Sequence, residues 1–260
     1  MKQNFSLNTK KFIQSLKQEK NNRNNGGIYH YMQVHFAYNS NRMEGSMLTK
    51  DQTRHIFEIG QFVAEKDAVV RSNDIIETIN HFRIFDHVIE TYEEKISPEY
   101  IKGIHYILKS GIIITDATRE IIGDFKNKAN FVGGEKTTRP KEVEKSIIRM
   151  INEYTKNLNA SKNIDEKLEI IIDMHYDFEK IHPFYDGNGR VGRILLFKEC
   201  LKNNIVPFII EDEKKAFYLR GLKEYKNMKG YLIDTCLDGQ DHLIRVLKEL
   251  DIATTILLNV

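Results

Sequence analysis

One stretch constrains the chain more than any other: His182-Pro183-Phe184-Tyr185-Asp186-Gly187-Asn188-Gly189-Arg190-Val191-Gly192-Arg193. Before it, Ile170, Met174, Phe178 and Ile181 are spaced to lie on one helical face. Pro183 predicts the end of that helix, because its ring disfavours the α conformation of the residue before it. Gly187 and Gly189 permit tight backbone geometry around Asn188. A second helix is expected to start near Gly189 and run through Ile194, Leu195 and Leu201 to Asn203-Asn204. The pattern is helix, glycine-rich loop, helix.

That geometry has a chemistry. A glycine-rich loop opening a helix presents unpaired backbone N–H groups and the positive end of a dipole, which suits phosphate. Arg190 and Arg193 are three residues apart and project from one face of the first turn. Two guanidinium forks beside such a nest can hold a di- or triphosphate. Asp186 stands at the mouth, where a carboxylate can hold the Mg²⁺ that accompanies a nucleotide. His182 is the side chain there whose ordinary pKa, roughly 6.5, suits a base at neutral pH. The loop lacks a Gly-Lys-Ser/Thr ending and is not a P-loop.

The stretch resembles the signature of the Fic family, His-x-Phe-x-Asp/Glu-Gly-Asn-Gly-Arg-x-x-Arg, with every specified position present. Most Fic proteins transfer AMP from ATP to a hydroxyl side chain of a protein. The resemblance implies a mainly α fold, a Fic-type helical bundle with one small β-hairpin flap over the site. It also implies roles. His182 is the base. Asp186, Gly187, Asn188, Gly189, Arg190, Val191, Gly192 and Arg193 surround the nucleotide, and Asp186 is the metal ligand.

A second motif gains its meaning from the first. Ile28 to Gly45 reads as a helix through Tyr31, Val34, His35 and Tyr38, with Gly45 suited to the left-handed position after it. Ser40 and Glu44 lie one turn apart on it. By itself this is a solvated glutamate before a helix-ending glycine. Beside the signature, Ser40-x-x-x-Glu44-Gly45 resembles the family's inhibitory motif, whose glutamate pairs with the second arginine, here Arg193, and blocks the γ-phosphate.

Elsewhere the pattern is helical with one interruption. Residues 1–20 form a short amphipathic helix through Phe12 and Leu16, and Asn21 to Gly27 a polar break. Thr49 and Gln52 spell a capping box for a helix to about Gly60. Further helices are expected at Ser72–Glu94, at Pro98–Lys109 with Ser97 as N-cap, and at Val143–Leu158. Between Gly111 and Pro140, Phe131-Val132-Gly133-Gly134-Glu135 allows a tight Gly-Gly hairpin, although by itself the segment reads as an ordinary connecting loop. The resemblance makes it the flap, along which an extended protein target can bind by main-chain hydrogen bonds. Val132, Gly133, Gly134 and Glu135 would then touch the nucleotide.

Helices follow near 213–226 and 230–237, and residues 240–260 read as a final apolar-rich helix. Tyr218 matches a family position beside the adenine, and Asn227 falls one residue out of step with another. His81, His87 and His105 receive no chemistry, although Ile104-His105 resembles part of the Fic core. A metal site from Asp173, His175 and His182 is the weaker reading of those residues.

This divides the chain into an accessory segment and linker at 1–27, a Fic domain with its inhibitory helix at 28–238, and a C-terminal helix at 239–260. Lys and Arg number 39 against 37 Asp and Glu, a charge of +2, so neither a nucleic acid nor a membrane surface is expected as partner. Two distant cysteines, Cys200 and Cys236, make no disulfide framework and suit a reducing cytoplasm. The expected substrate is ATP with Mg²⁺, and the expected partner a protein hydroxyl. Self-modification and a homo-oligomer stay open. The competing readings are removal of AMP or transfer of another phosphate-containing group by the same fold, and a non-enzymatic nucleotide-binding regulator. The kinase-like relatives usually carry Lys where this chain has Gly189, which favours AMP transfer.

Overall fold

The computed structural model describes residues 5–64, 69–113 and 121–259. The first four residues of the accessory segment, residues 114–120 of the stretch between Gly111 and Pro140, and Val260 lie outside them. In chain order the elements are β1 (Phe5–Leu7), α1 (Thr9–Asn22), α2 (Ile28–Met43), α3 (Lys50–Ile59), α4 (Ser72–Thr91) and α5 (Pro98–Lys109). There follow β2 (Phe131–Val132), β3 (Glu135–Lys136), α6 (Pro140–Ala160), α7 (Ile164–Ile181) and α8 (Asn188–Lys202). A 3₁₀ turn at Asp212–Lys214 leads to α9 (Lys215–Glu224), α10 (Gly230–Glu249), α11 (Ala253–Ile256) and β4 (Leu257–Asn259).

The starts of α1, α3, α5 and α7 are capped by short-range side-chain hydrogen bonds. Thr49 and Gln52 form the expected box, with Gln52 N donating to Thr49 Oγ1 at 3.1 Å and Thr49 N to Gln52 Oε1 at 3.0 Å. Ser97 accepts from Tyr100 N at 3.1 Å, with Pro98 in the first turn of α5. Asn163 accepts from Glu166 N at 2.9 Å to start α7.

The core is centred on α8. From Val191 to Leu201 every residue is buried, as expected of a helix enclosed on all sides. It packs against α7, α2, α4 and α5. Phe36 of α2 and Phe85 of α4 meet Phe197 at ring separations of 5.1 and 5.6 Å. The helix that opens at the anion loop is therefore enclosed by the core.

The C-terminal region departs from the expected pattern. Gly230 to Glu249 is one continuous helix, because Gly239 and Gln240 are buried against the 206–209 segment instead of forming a break. The final helix expected at 240–260 ends at Glu249. After the short α11, β4 pairs antiparallel with β1, Phe5 opposite Asn259 and Leu7 opposite Leu257. Thr9 Oγ1 donates to Leu201 O at 2.8 Å, tying this second small sheet to the end of α8.

Candidate active site

The loop between α7 and α8 is held by its own residues. His182 ends α7 in the left-handed conformation, φ +51°, its N–H bonded to Phe178 O at 3.0 Å. Gly187 precedes α8 at φ +82°, a conformation costly for any residue with a Cβ. Asn188 Oδ1 accepts from Phe184 N at 2.8 Å, and Asn188 Nδ2 donates to Phe184 O at 2.9 Å. The Asn188 side chain thus clamps the loop and leaves the phosphate cradle to the backbone. Phe184 is fully buried and stacks on His105 at 3.9 Å, with ring planes 3° apart.

His105, given no chemistry by sequence, belongs to this frame. Its Nε2 lies 3.2 Å from Asp186 O, and its Nδ1 accepts from Gly123 N at 3.0 Å. Lys126 is a second unforeseen support. Its Nζ donates to His182 O at 2.7 Å, to Asn130 Oδ1 at 2.7 Å and to Thr137 Oγ1 at 2.6 Å. Its own N–H bonds Pro183 O at 2.8 Å, and Asn130 Nδ2 bonds Phe184 O at 2.9 Å. One buried ammonium therefore joins the base of the hairpin to the backbone of His182. The signal in sequence was an isolated lysine in a segment with no periodicity.

Burial, and next the Lys126 charge, lower the His182 imidazole to about 4. It is neutral at pH 7 and able to accept a proton. Burial opposes ionisation of Asp186, but Arg190 and then Lys109 outweigh it and hold the carboxyl at about 2. Arg190 and Arg193 are both buried, at 3% and 4% exposure, and point to one side of the first turn of α8. Arg190 Nη1 meets Glu77 Oε2 at 2.5 Å and Arg190 Nη2 meets Asp186 Oδ2 at 3.2 Å.

Arg193 is tied to α2. Its Nε donates to Ser40 Oγ at 3.1 Å, and its Nη2 donates to Ser40 O at 2.9 Å and to Glu44 Oε1 at 2.8 Å. Burial raises the Glu44 carboxyl, but Arg193 and Arg190 bring it below the ordinary glutamate value. A Cβ at Gly189 would collide with Glu44 Oε1, so the glycine is what lets the carboxylate lie over the first turn.

Beneath Arg193, Tyr218 is 2% exposed and its ring lies 5.9 Å from the guanidinium, while its hydroxyl meets His175 Nε2 at 2.7 Å. Asp173 is engaged elsewhere, by Tyr225 and Lys229. Asp173, His175 and His182 are not brought together, and no group of three or more His, Cys, Asp or Glu suited to a metal occurs among the described residues.

The hairpin forms as expected. Phe131 pairs with Lys136 and Val132 with Glu135, and Gly133 and Gly134 take φ +55° and +83° in the two-residue turn. Phe131 and Val132 are exposed. Asn227 lies in the turn between α9 and α10, its N–H bonded to Glu224 O at 2.9 Å. On the far side of the arginines a cleft of about 460 Å³ is lined by Asn41, Glu44, Arg71, Glu77, Lys109, Asp186 and Arg190. It is a charged recess at the helix start, of a size to admit phosphates.

Comparison with known proteins gives the family and the fold. The Fic/DOC family model matches residues 95–199. A probable protein adenylyltransferase of Aquifex aeolicus is 32% identical over 187 residues, covering 68% of this chain and 55% of that protein. The protein adenylyltransferase Fic of Nematostella vectensis is 25% identical over 72% of this chain and 42% of its own length. The chain thus spans about half the length of these curated relatives. Among solved structures, a Fic-domain signalling protein of Bacteroides thetaiotaomicron superposes with a TM-score of 0.73 at 21% identity, covering 95% of this chain and 94% of that one. Fic-1 of C. elegans superposes at 0.68 with 19% identity, over 92% of this chain and 70% of that one.

Proposed function

The chain belongs to the Fic/DOC family, and from that premise we propose that it is a protein adenylyltransferase, passing AMP from ATP to a Ser, Thr or Tyr hydroxyl of a target protein with release of pyrophosphate. The observation that carries this reading is one loop and one helical turn holding a neutral His182, an ionised Asp186 and two buried arginines. A nucleotide-binding regulator would have no use for a neutral imidazole at that mouth.

His182 takes the proton of the attacking hydroxyl, which forms a bond to the α-phosphorus as the bond to pyrophosphate breaks. The N–H groups of Gly187 to Gly189, with Arg190 and Arg193, receive the phosphate charge. The protein does little covalent work, and positioning with charge stabilisation supplies the rate. Asp186 projects into the cleft with its side chain about half exposed, a donor suited to a hard cation. When bound there, Mg²⁺ would neutralise charge between the phosphates. The target lies along the flap, where Phe131 and Val132 offer apolar contact and the short strands offer backbone hydrogen bonds.

Glu44 restrains this chemistry. Its carboxylate holds Arg193 and lies over Gly189, where a γ-phosphate would come. The resting protein is autoinhibited, and a displaced Glu44 releases it. Two free, buried cysteines, Cys200 and Cys236, suit a cytoplasmic setting. Incubation with labelled ATP, Mg²⁺ and a cell lysate tests the reading. Labelled protein bands whose mass increases by one AMP support it. Transfer of label from the γ-position, or none with a Glu44→Gly variant, overturns it.

A further inference from the structure

Two side chains from other helices close a ring of charge with the anion loop. Lys109, at the end of α5, places Nζ 2.7 Å from Glu77 Oε1 of α4 and in contact with Asp186 Oδ2. Arg190 spans the same two carboxylates from the other side. Around the ring run Glu77, Lys109, Asp186 and Arg190, two negative charges alternating with two positive. The Lys109 and Arg190 side chains are 3% and 4% exposed and Glu77 13%, while Asp186 is 47% exposed. All four line the cleft, and the aspartate is the most open to solvent.

A buried ammonium is costly unless it is paired, so its placement here has a reason in the site. Asp186 is the carboxylate that would hold a divalent ion, and Lys109 and Arg190 already sit on its Oδ2. We propose that Lys109 is a positioning residue that fills the cation place on Asp186 in the nucleotide-free protein, so that a divalent ion enters only together with the phosphates of a nucleotide. The proposal rests on the reading of Asp186 as the metal-holding carboxylate.

The physical reason is the balance of charge. A divalent ion approaching alone meets an Asp186 already neutralised by two cations that it shares with Glu77, and both cations repel the ion. A nucleotide brings several negative charges, which draw Lys109 and Arg190 toward themselves, and oxygen ligands that complete the shell of a hard cation. Lys109 remains bonded to Glu77 when it releases Asp186, so the ammonium is not left unpaired. A lysine suits this exchange, since its compact charge sits on a flexible stem where an arginine would bind in a fixed fork.

Equilibrium dialysis of the full chain against Mn²⁺, with and without ADP, tests this. ADP brings no γ-phosphate against Glu44. The wild type is expected to retain Mn²⁺ only when ADP is present. Lys109→Met should bind Mn²⁺ alone at least about tenfold more tightly than the wild type, because one repelling charge is gone. Lys109→Arg should show no such gain, and Asp186→Asn should abolish it in the Lys109→Met background. Wild-type protein that binds Mn²⁺ alone as tightly as with ADP overturns the proposal, and this measurement needs no variant to fold. A gain in Lys109→Arg equal to that in Lys109→Met overturns it too. A wild type that holds no Mn²⁺ even with ADP removes Asp186 as the metal carboxylate, and the proposal falls with that reading.

Discussion

Arg193 Nη2 lies 2.8 Å from Glu44 Oε1, a bond between a helix near the N-terminus and the first turn of α8, 149 residues away. Ser40, one turn before Glu44, takes two further bonds from the same guanidinium. The arginine is buried and its donors face α2, so the contact fixes both the charge and the direction of the side chain.

Breaking that contact should raise activity. Glu44→Gly frees Arg193 and removes a carboxylate from the path of the γ-phosphate. Couplings of this kind are about 1–3 kcal/mol, on the order of 5–150-fold in competent binding. AMP transfer, including onto the protein itself, is expected to rise by at least about fivefold. Arg193→Ala in the same background should reverse the gain. Labelling the three proteins side by side decides it, and an inert Glu44→Gly would show that Glu44 does not restrain the enzyme.

The base should show itself in acid. Since His182 titrates at about 4 in the nucleotide-free protein, the acid limb of kcat/KM is expected near that value and not near 6.5. His182→Ala should cut transfer by about 10²–10⁴-fold with nucleotide affinity nearly unchanged, because the imidazole acts on the target's proton. Single-turnover rates from pH 4.5 to 8, with ATP binding by calorimetry, check both. A limb near 6.5 in the wild type would move the assignment to another group.

Lys126→Met tests the support behind that base. The ammonium holds the carbonyl of His182 in its left-handed turn and the base of the hairpin at once. Without it, the imidazole and the flap lose their common anchor. The expected result is a fall in kcat of about tenfold or more, since misplacement of a reacting group by about 1 Å can cost 10²-fold. ATP affinity should change little, because the arginines and α8 are untouched. Equal losses in ATP affinity and kcat would mean the whole loop had collapsed.

How much of this was legible in sequence depended on the range of the interactions. The loop, its two helices and the capping box at Thr49 are local patterns and were readable from the residues, while the Gly133-Gly134 hairpin and the role of Ser40 and Glu44 came through the resemblance. Tyr218 was found only through resemblance, since its burial under Arg193 depends on how α9 folds back. Lys109, Glu77 and Lys126 were invisible, because each reaches the anion loop through a partner at least 56 residues away, up to 113 for Glu77 and Arg190. The C-terminal strand was missed for a related reason. Leu257 to Asn259 has too few residues for a strand pattern, and its partner β1 lies at the other end of the chain.

Glu179 leads to a prediction about stability. It lies on α7 three residues before His182, against Gly192, and a Cβ on that glycine would collide with its Oε1. Burial raises its carboxyl to about 8, with Arg193 opposing and Glu44 adding to the rise. At pH 7 it is protonated, which leaves Arg193 to a single carboxylate, Glu44. The unfolded group titrates near 4.5, so between 4.5 and 8 the folded chain holds a proton that the unfolded chain has lost. The stabilisation is full below 4.5 and is lost as pH rises through 8. Groups common to the wild type and a Glu179→Gln variant cancel when the two are compared, so the difference between them reports this proton alone. From pH 6.5 to 8 the wild type should lose roughly 1.5 kcal/mol that Glu179→Gln does not, the slope falling from about 1.4 kcal/mol per pH unit as the folded group titrates near 8. Urea unfolding of both proteins across that range measures the difference. Parallel curves would mean that Glu179 is ionised in the fold and shares Arg193 with Glu44, and the arginine would then be doubly restrained at rest.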